Sequence, residues 1–245
     1  MIVFIHGVPE TYTIWNKVAA LIDEPSMFLA LPGFGSPRSD GFTATKDAYL
    51  GWITSQLEVI DEPIDLVGHD WGAAFTLRLA TTDTVPLRSW AADVSYLLHP
   101  DYVWHDLAQT WQQQGAGEEF WSNYLAADPN DIAPVFETYG LALDDALFVA
   151  LMADATMGEC VLDLYRSAQP NPFADWSPEH WRTTAPGLAL IAPQDPFGDE
   201  VMSVDVARRL HADAIILPEC GHWWALQDPK NAVDALRNFW NSARA

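Results

Sequence analysis

Short apolar or β-branched runs alternate with longer stretches of helical spacing over the first part of the chain, the pattern of a parallel sheet whose strands are joined by crossover helices. It predicts strands at residues 2–5, 27–30, 64–67 and 88–92, and helices at 11–21, 43–59 and 72–79, with Thr43 and Thr45 as N-cap candidates for the second. From about residue 95 to 182 the alternation stops. That stretch is rich in Trp, Tyr, Asn and Gln with helical periodicity, as in LAQTWQQQ and ALFVALMADA. It then resumes with a strand at 187–192, a helix at 203–210, a strand at 214–217 and a closing helix at 231–240. The expected organisation is one α/β core, residues 1–95 and 183–245, interrupted by a helical cap at 96–182. With a first strand at residue 2, earlier sheet strands are expected to be missing or shortened, leaving one edge uncovered.

At 245 residues and 49% hydrophobic composition the chain can bury a substantial core. Lys and Arg number 12 against 34 Asp and Glu, a formal charge of −22, so nucleic acid and anionic membranes are excluded as partners and anionic substrates are disfavoured. Cys160 and Cys220 have no metal-motif spacing, and one pair is too few for a disulfide scaffold. The opening MIVFIHG lacks a basic segment, and its apolar run is short for a signal core or a membrane span. A cytoplasmic monomer or homodimer is expected, with no metal and no cofactor. PGFGS, at 32–36, is too short for a dinucleotide fingerprint.

The candidate chemistry lies in GHDWG, residues 68–72, between a predicted strand and a predicted helix. A small-x-nucleophile-x-small pentapeptide there is a nucleophile elbow, whose sharp turn holds the central side chain, here Asp70, above the sheet edge. The competing reading of Asp70 is an ordinary helix N-cap. Three other segments fall where an elbow site needs them. His6-Gly7-Val8-Pro9 follows the first strand and supplies a second backbone N–H for an oxyanion hole, so the predicted donors are the amides of Val8 and Trp71. His222, in PECGHWW, follows the last strand and is available as a base, and Asp195, in APQDPFGD, follows the strand before it. The order nucleophile, acid, histidine is that of an α/β-hydrolase site.

Together HGVPET, PGFGSPR, GHDWGA, QDPFGD and GHWW resemble the α/β-hydrolase superfamily, in its branch with an aspartate nucleophile, the epoxide hydrolases and dehalogenases. The resemblance covers about residues 2–95 and 183–243 and implies an α/β-hydrolase fold with a mostly parallel sheet. A carboxylate attacking an sp³ carbon with a strained or good leaving group forms an ordinary alkyl ester, which points to epoxides or alkyl halides. In the expected second step His222, oriented by Asp195, activates water against the Asp70 ester. Asp93, after the strand 88–92, is the rival acid, because some dehalogenases draw theirs from that position.

An epoxide needs a proton donor for its departing oxygen, and CVLDLYRSA resembles the Tyr-Arg stretch of epoxide hydrolases, making Tyr165 the candidate. Where those enzymes have a second tyrosine this chain has Trp111, with Tyr96 or Tyr124 as substitutes. A halide needs N–H donors, which Trp71 could supply. Val8 stands where many dehalogenases have asparagine, Trp71 where haloacid enzymes have arginine, and Glu10 matches the HGxPE form frequent among epoxide hydrolases. Pro9, Glu10, Trp111 and Trp223 complete the substrate-binding candidates. Trp104, Trp111, Trp121, Trp176 and Trp181 fit an apolar pocket under the cap. The expectation is therefore a hydrolase of small, neutral, apolar epoxides. A haloalkane dehalogenase is the alternative, and a non-catalytic ligand-binding member of the fold comes third.

Overall fold

The computed structural model describes residues 1–176 and 181–243. Residues 177–180, within the expected cap, and 244–245, at the end of the expected core, lie outside the described residues. Six strands, β1 (Ile2–Ile5), β2 (Ser26–Leu29), β3 (Ile64–Gly68), β4 (Leu87–Ala92), β5 (Gly187–Ile191) and β6 (Asp213–Ile216), form one sheet in the order β2-β1-β3-β4-β5-β6. Every pairing is parallel. Such a sheet is covered on both faces, which is why β1, β3 and β5 are buried at every position and read as apolar runs rather than alternations. Asp65, inside β3, is accommodated by a bidentate pair with Arg88 and a 2.6 Å hydrogen bond from the Ser89 hydroxyl.

Around the sheet run α1 (Asn16–Ala19), α2 (Lys46–Leu57), α3 (Trp71–Thr82), α9 (Glu200–Leu210), α10 (Trp224–Gln227) and α11 (Pro229–Ala243). Between β4 and β5 stand α4 (Asp106–Gln112), α5 (Ala116–Ala126), α6 (Pro129–Thr138), α7 (Leu143–Ala150) and α8 (Ala155–Arg166). The helix expected at 11–21 is a 3-10 turn, Tyr12–Trp15, followed by the single turn α1. The helix expected from 43 starts at Lys46, because Ala44 takes a left-handed conformation and Thr45 caps the Ala48 amide.

The strand order reverses at β1 and β3: from β1 the chain steps outward to β2, and from β3 it winds the other way. Ligands of open α/β sheets bind at the carboxyl ends of strands flanking such a switch point. The packing there is tight. A Cβ at Gly68 would lie 2.3 Å from the Gly72 carbonyl oxygen, and one at Gly72 would lie 2.2 Å from that of Ile5. The small residues on either side of Asp70 thus let α3 start directly against β1 and β3. Gly72→Ala is expected to lose at least about 2 kcal/mol of stability, because backbone rather than a yielding side chain blocks the new methyl. Urea unfolding of the two proteins checks this.

Candidate active site

Asp70 has φ +51° and ψ −119°, a conformation that L-residues seldom adopt, and its side chain makes no capping bond to α3. The ordinary N-cap reading is therefore not what the local geometry shows. Instead Asp70 Oδ1 accepts a 2.8 Å hydrogen bond from the Val8 amide, in the loop after β1. Gly7 permits that approach, since a Cβ there would lie 2.7 Å from Asp70 Cβ. The Trp71 amide, the other predicted donor, belongs to the first residue of α3, but among the described residues the hydrogen bond to the Asp70 carboxylate comes from Val8. His222 Nε2 stands 3.9 Å from Asp70 Oδ2, and its Nδ1 is 3.0 Å from Asp195 Oδ2. Asp195 also accepts from the Phe197 amide at 2.9 Å, which fixes the carboxylate in its turn.

Asp93 meets a different histidine. Its Oδ2 lies 2.5 Å from His69 Nδ1 and accepts the Trp224 indole N–H at 2.6 Å, while Oδ1 accepts the Asp70 amide at 2.9 Å. Val94, with φ +34°, makes the strained corner after Asp93. On its other side His69 Nε2 lies 3.4 Å from Glu10 Oε1, which also receives the Trp223 indole N–H at 2.5 Å. Of the two acids left open by the sequence, Asp195 is the one beside His222. Two buried histidine–carboxylate pairs thus lie side by side, with ring centroids 4.8 Å apart. The second pair went unassigned in the sequence reading, although GHDWG contains His69; its only sequence signal is the His-Asp dipeptide at a strand end.

These contacts set the charges. Burial opposes protonation of His69, but Asp93 and Glu10 outweigh it and hold its pKa well above the ordinary value. Burial likewise disfavours a charged His222, yet the charge and hydrogen bond of Asp195 lift it to about 9. For Asp70 burial wins, raising its pKa to about 6 against the pull of His222, His69 and the Val8 amide. Burial, reinforced by the negative charge of Asp70, drives the Tyr165 phenol upward, so it stays protonated. His6, buried and pushed down to about 4, is neutral, accepting from the Leu31 amide at 3.1 Å and facing the Gly7 carbonyl at 2.7 Å. Glu10, His69 and His222 bring ligand-capable atoms within 4.8 Å of one another, but both histidines are already committed to carboxylates.

A cavity of about 470 Å³ opens over Asp70. Val8, Pro9, Glu10, Trp71, Trp111, Tyr165, His222 and Trp223 all line it, whereas Asp195 stands behind His222, outside the lining. Tyr165, on α8, sets its ring edge-on to Trp71 at 5.4 Å and to Trp111 of α4 at 4.8 Å. Tyr96 and Tyr124 line the cavity as well, joined by Tyr102, which the sequence reading did not single out. Two of the five tryptophans assigned to the pocket lie elsewhere. Trp176 packs on Phe75 beneath the Lys46 ammonium, and Trp181 lies under Arg209. Composition marked that segment as aromatic but not which way each ring faces.

The fold is that of the hydrolases built on a parallel α/β sheet. The chain belongs to the alpha/beta hydrolase family, whose model matches residues 2–235. The AB hydrolase superfamily protein YfhM of Bacillus subtilis is 32% identical over 91 residues, a match that takes in 34% of this chain and 31% of that protein. Among solved structures, a loop variant of a haloalkane dehalogenase from Bradyrhizobium elkanii superimposes with a TM-score of 0.76 at 18% identity, covering 99% of this chain and 89% of that one. A mutant of an epoxide hydrolase from Bacillus megaterium gives 0.77 at 18% identity, over 98% and 93%. At such identity the likeness is one of fold. No helix among the described residues is long and apolar enough to cross a membrane.

Asp70 carries a testable signature. Its folded pKa, about 6, lies above the ordinary carboxylate value, so the folded state holds this proton more tightly than the unfolded chain. The cost of ionising it is absent below about pH 4, grows as pH rises through the window to about 6, and is complete above it. Asp70→Asn, which keeps an oxygen for the Val8 amide, is expected to be more stable than the wild type by about 2 kcal/mol at pH 8 and equally stable at pH 4. Denaturant titrations at the two pH values measure this.

Proposed function

We propose that this hydrolase opens an epoxide to a vicinal diol through a covalent ester on Asp70. The observation that carries the reading is the pairing of a carboxylate held at the elbow, one oxygen on the Val8 amide and the other facing His222, with a protonated phenol, Tyr165, in the same cavity wall. Asp70 attacks a ring carbon, the C–O bond breaks, and the departing oxygen takes the Tyr165 proton. The resting imidazolium of His222 then restores the phenol through water, which leaves His222 neutral. Loss of the Asp70 charge on esterification favours that step, because this charge helps to hold the proton on His222.

Neutral His222, steadied by Asp195, takes a proton from a water whose oxygen adds to the ester carbonyl. The charge developing on Oδ1 faces the amides of Val8 and Trp71, each such donor contributing about 3 kcal/mol. Collapse releases the diol and returns Asp70 as a carboxylate and His222 as an imidazolium, so protons balance over the cycle. In this reading Pro9, Glu10, Trp111 and Trp223 shape the space over Asp70. No step calls for a cofactor.

One observation favours the second reading, a haloalkane dehalogenase: the indole N–H of Trp111 has no hydrogen-bond partner among the described residues, that of Trp71 meets only the Tyr165 phenol, and both residues line the cavity. Halide ions are bound by such donors. Parallel assays with styrene oxide and bromobutane separate the two. Diol without bromide is expected, abolished in Asp70→Asn and reduced by about 100-fold or more in Tyr165→Phe. Bromide without diol would transfer the assignment to the halide reading, and full activity in Asp70→Asn would refute the ester in both.

A further inference from the structure

More than half of the residues lining the cavity are Phe, Tyr or Trp. Among the described residues no Lys or Arg lines it, while Asp70, Glu10 and Asp131 do, the first two within its floor and Asp131 as an exposed residue. Asp131 stands in the first turn of α6, whose Ile132, Val135 and Phe136 share the same wall. It has no ion-pair partner among the described residues, and neighbouring Tyr139 and Phe136 form an aromatic cluster with Trp223. Glu10 adds an independent sign. It is only 2% exposed, yet its Oε2 has no hydrogen-bond partner among the described residues. Buried oxygens of this kind are normally satisfied.

We propose that the cavity receives a substrate bearing an ammonium group, protonated or quaternary, on a compact apolar body, recognised by its aromatic walls and by Asp131. The proposal rests on the preceding section only in using the same cavity, and it replaces the neutral substrate expected from the sequence with an apolar cation. Ring faces attract ammonium groups, more strongly when water is excluded. The floor adds a negative bias, since four carboxylates, Asp70, Glu10, Asp93 and Asp195, surround two imidazolium rings, His69 and His222. The formal charge of −22 draws cations toward the entrance and repels anions. An uncharged ligand would use the ring surfaces but neither of these fields.

Binding of phenyltrimethylammonium and of its uncharged isostere tert-butylbenzene, measured by tryptophan fluorescence and equilibrium dialysis, tests this without turnover. The cation is expected to bind about tenfold more tightly. Asp131→Asn should weaken the cation about threefold and leave the isostere unchanged, whereas Asp61→Asn, an exposed acid far along the chain, should change neither. Equal or tighter binding of the isostere would overturn the proposal. So would equal losses in the two variants, which would mark diffuse attraction to an acidic surface, or no loss in either. Turnover of glycidyltrimethylammonium against its all-carbon analogue then separates the two claims. If the cation binds as expected and neither epoxide is opened, the ammonium site stands and the epoxide reading falls. If both are opened without preference for the cation, the reverse holds.

Discussion

The left-handed backbone at Asp70 is the constraint on which the rest of the site depends. A positive φ at a residue with a side chain costs on the order of 1–3 kcal/mol and persists only where the surroundings fix it. Here three strands do so. Gly68 and Gly72 let α3 close against β1 and β3, the loop after β1 brings the Val8 amide to Oδ1, and the acid after β4 holds the Asp70 amide. The carboxylate therefore belongs to no single element, and its direction is set by the register of β1, β3 and β4 together.

That arrangement places unusual charge density below the cavity. Each histidine is kept cationic by its own acid, His222 by Asp195 and His69 mainly by Asp93, and the two cations in turn ease the ionisation of Asp70. Buried charges without partners are very costly, and here each imidazolium has its own carboxylate. The same coupling gives the proposed cycle its logic, since neutralising Asp70 weakens the hold of His222 on its proton. Asp93, in this view, positions the elbow and the inner histidine, while Asp195 serves the outer one.

Much of the fold was legible because parallel strands buried on both faces must be apolar throughout, so β1, β3 and β5 announce themselves within a residue of their ends. Helix starts were less legible. Ala44 and Thr45 end the run-in to α2 through a backbone conformation that periodicity does not record. In the site, Asp70 stood out because it is centred between two glycines, Gly68 and Gly72, at a strand tip. Asp195 stood ahead of Asp93 only as the commoner position in the resemblance, since both follow strands, and the packing of Trp224 and His69 around Asp93 distinguishes their partners. The same limit misplaced Trp176, whose partner, Lys46, lies far away in sequence.

The most direct test of the central claim, that Asp70 is a nucleophile served by His222, is the intact mass of the His222→Gln protein after incubation with styrene oxide. Without its base the second step should stall. The account predicts a mass increase equal to one molecule of the epoxide, mapped by peptide sequencing to Asp70 and absent when Asp70 is also changed to Asn. A protein that stays unmodified while the wild type forms diol, or an adduct mapped to another side chain, would contradict it.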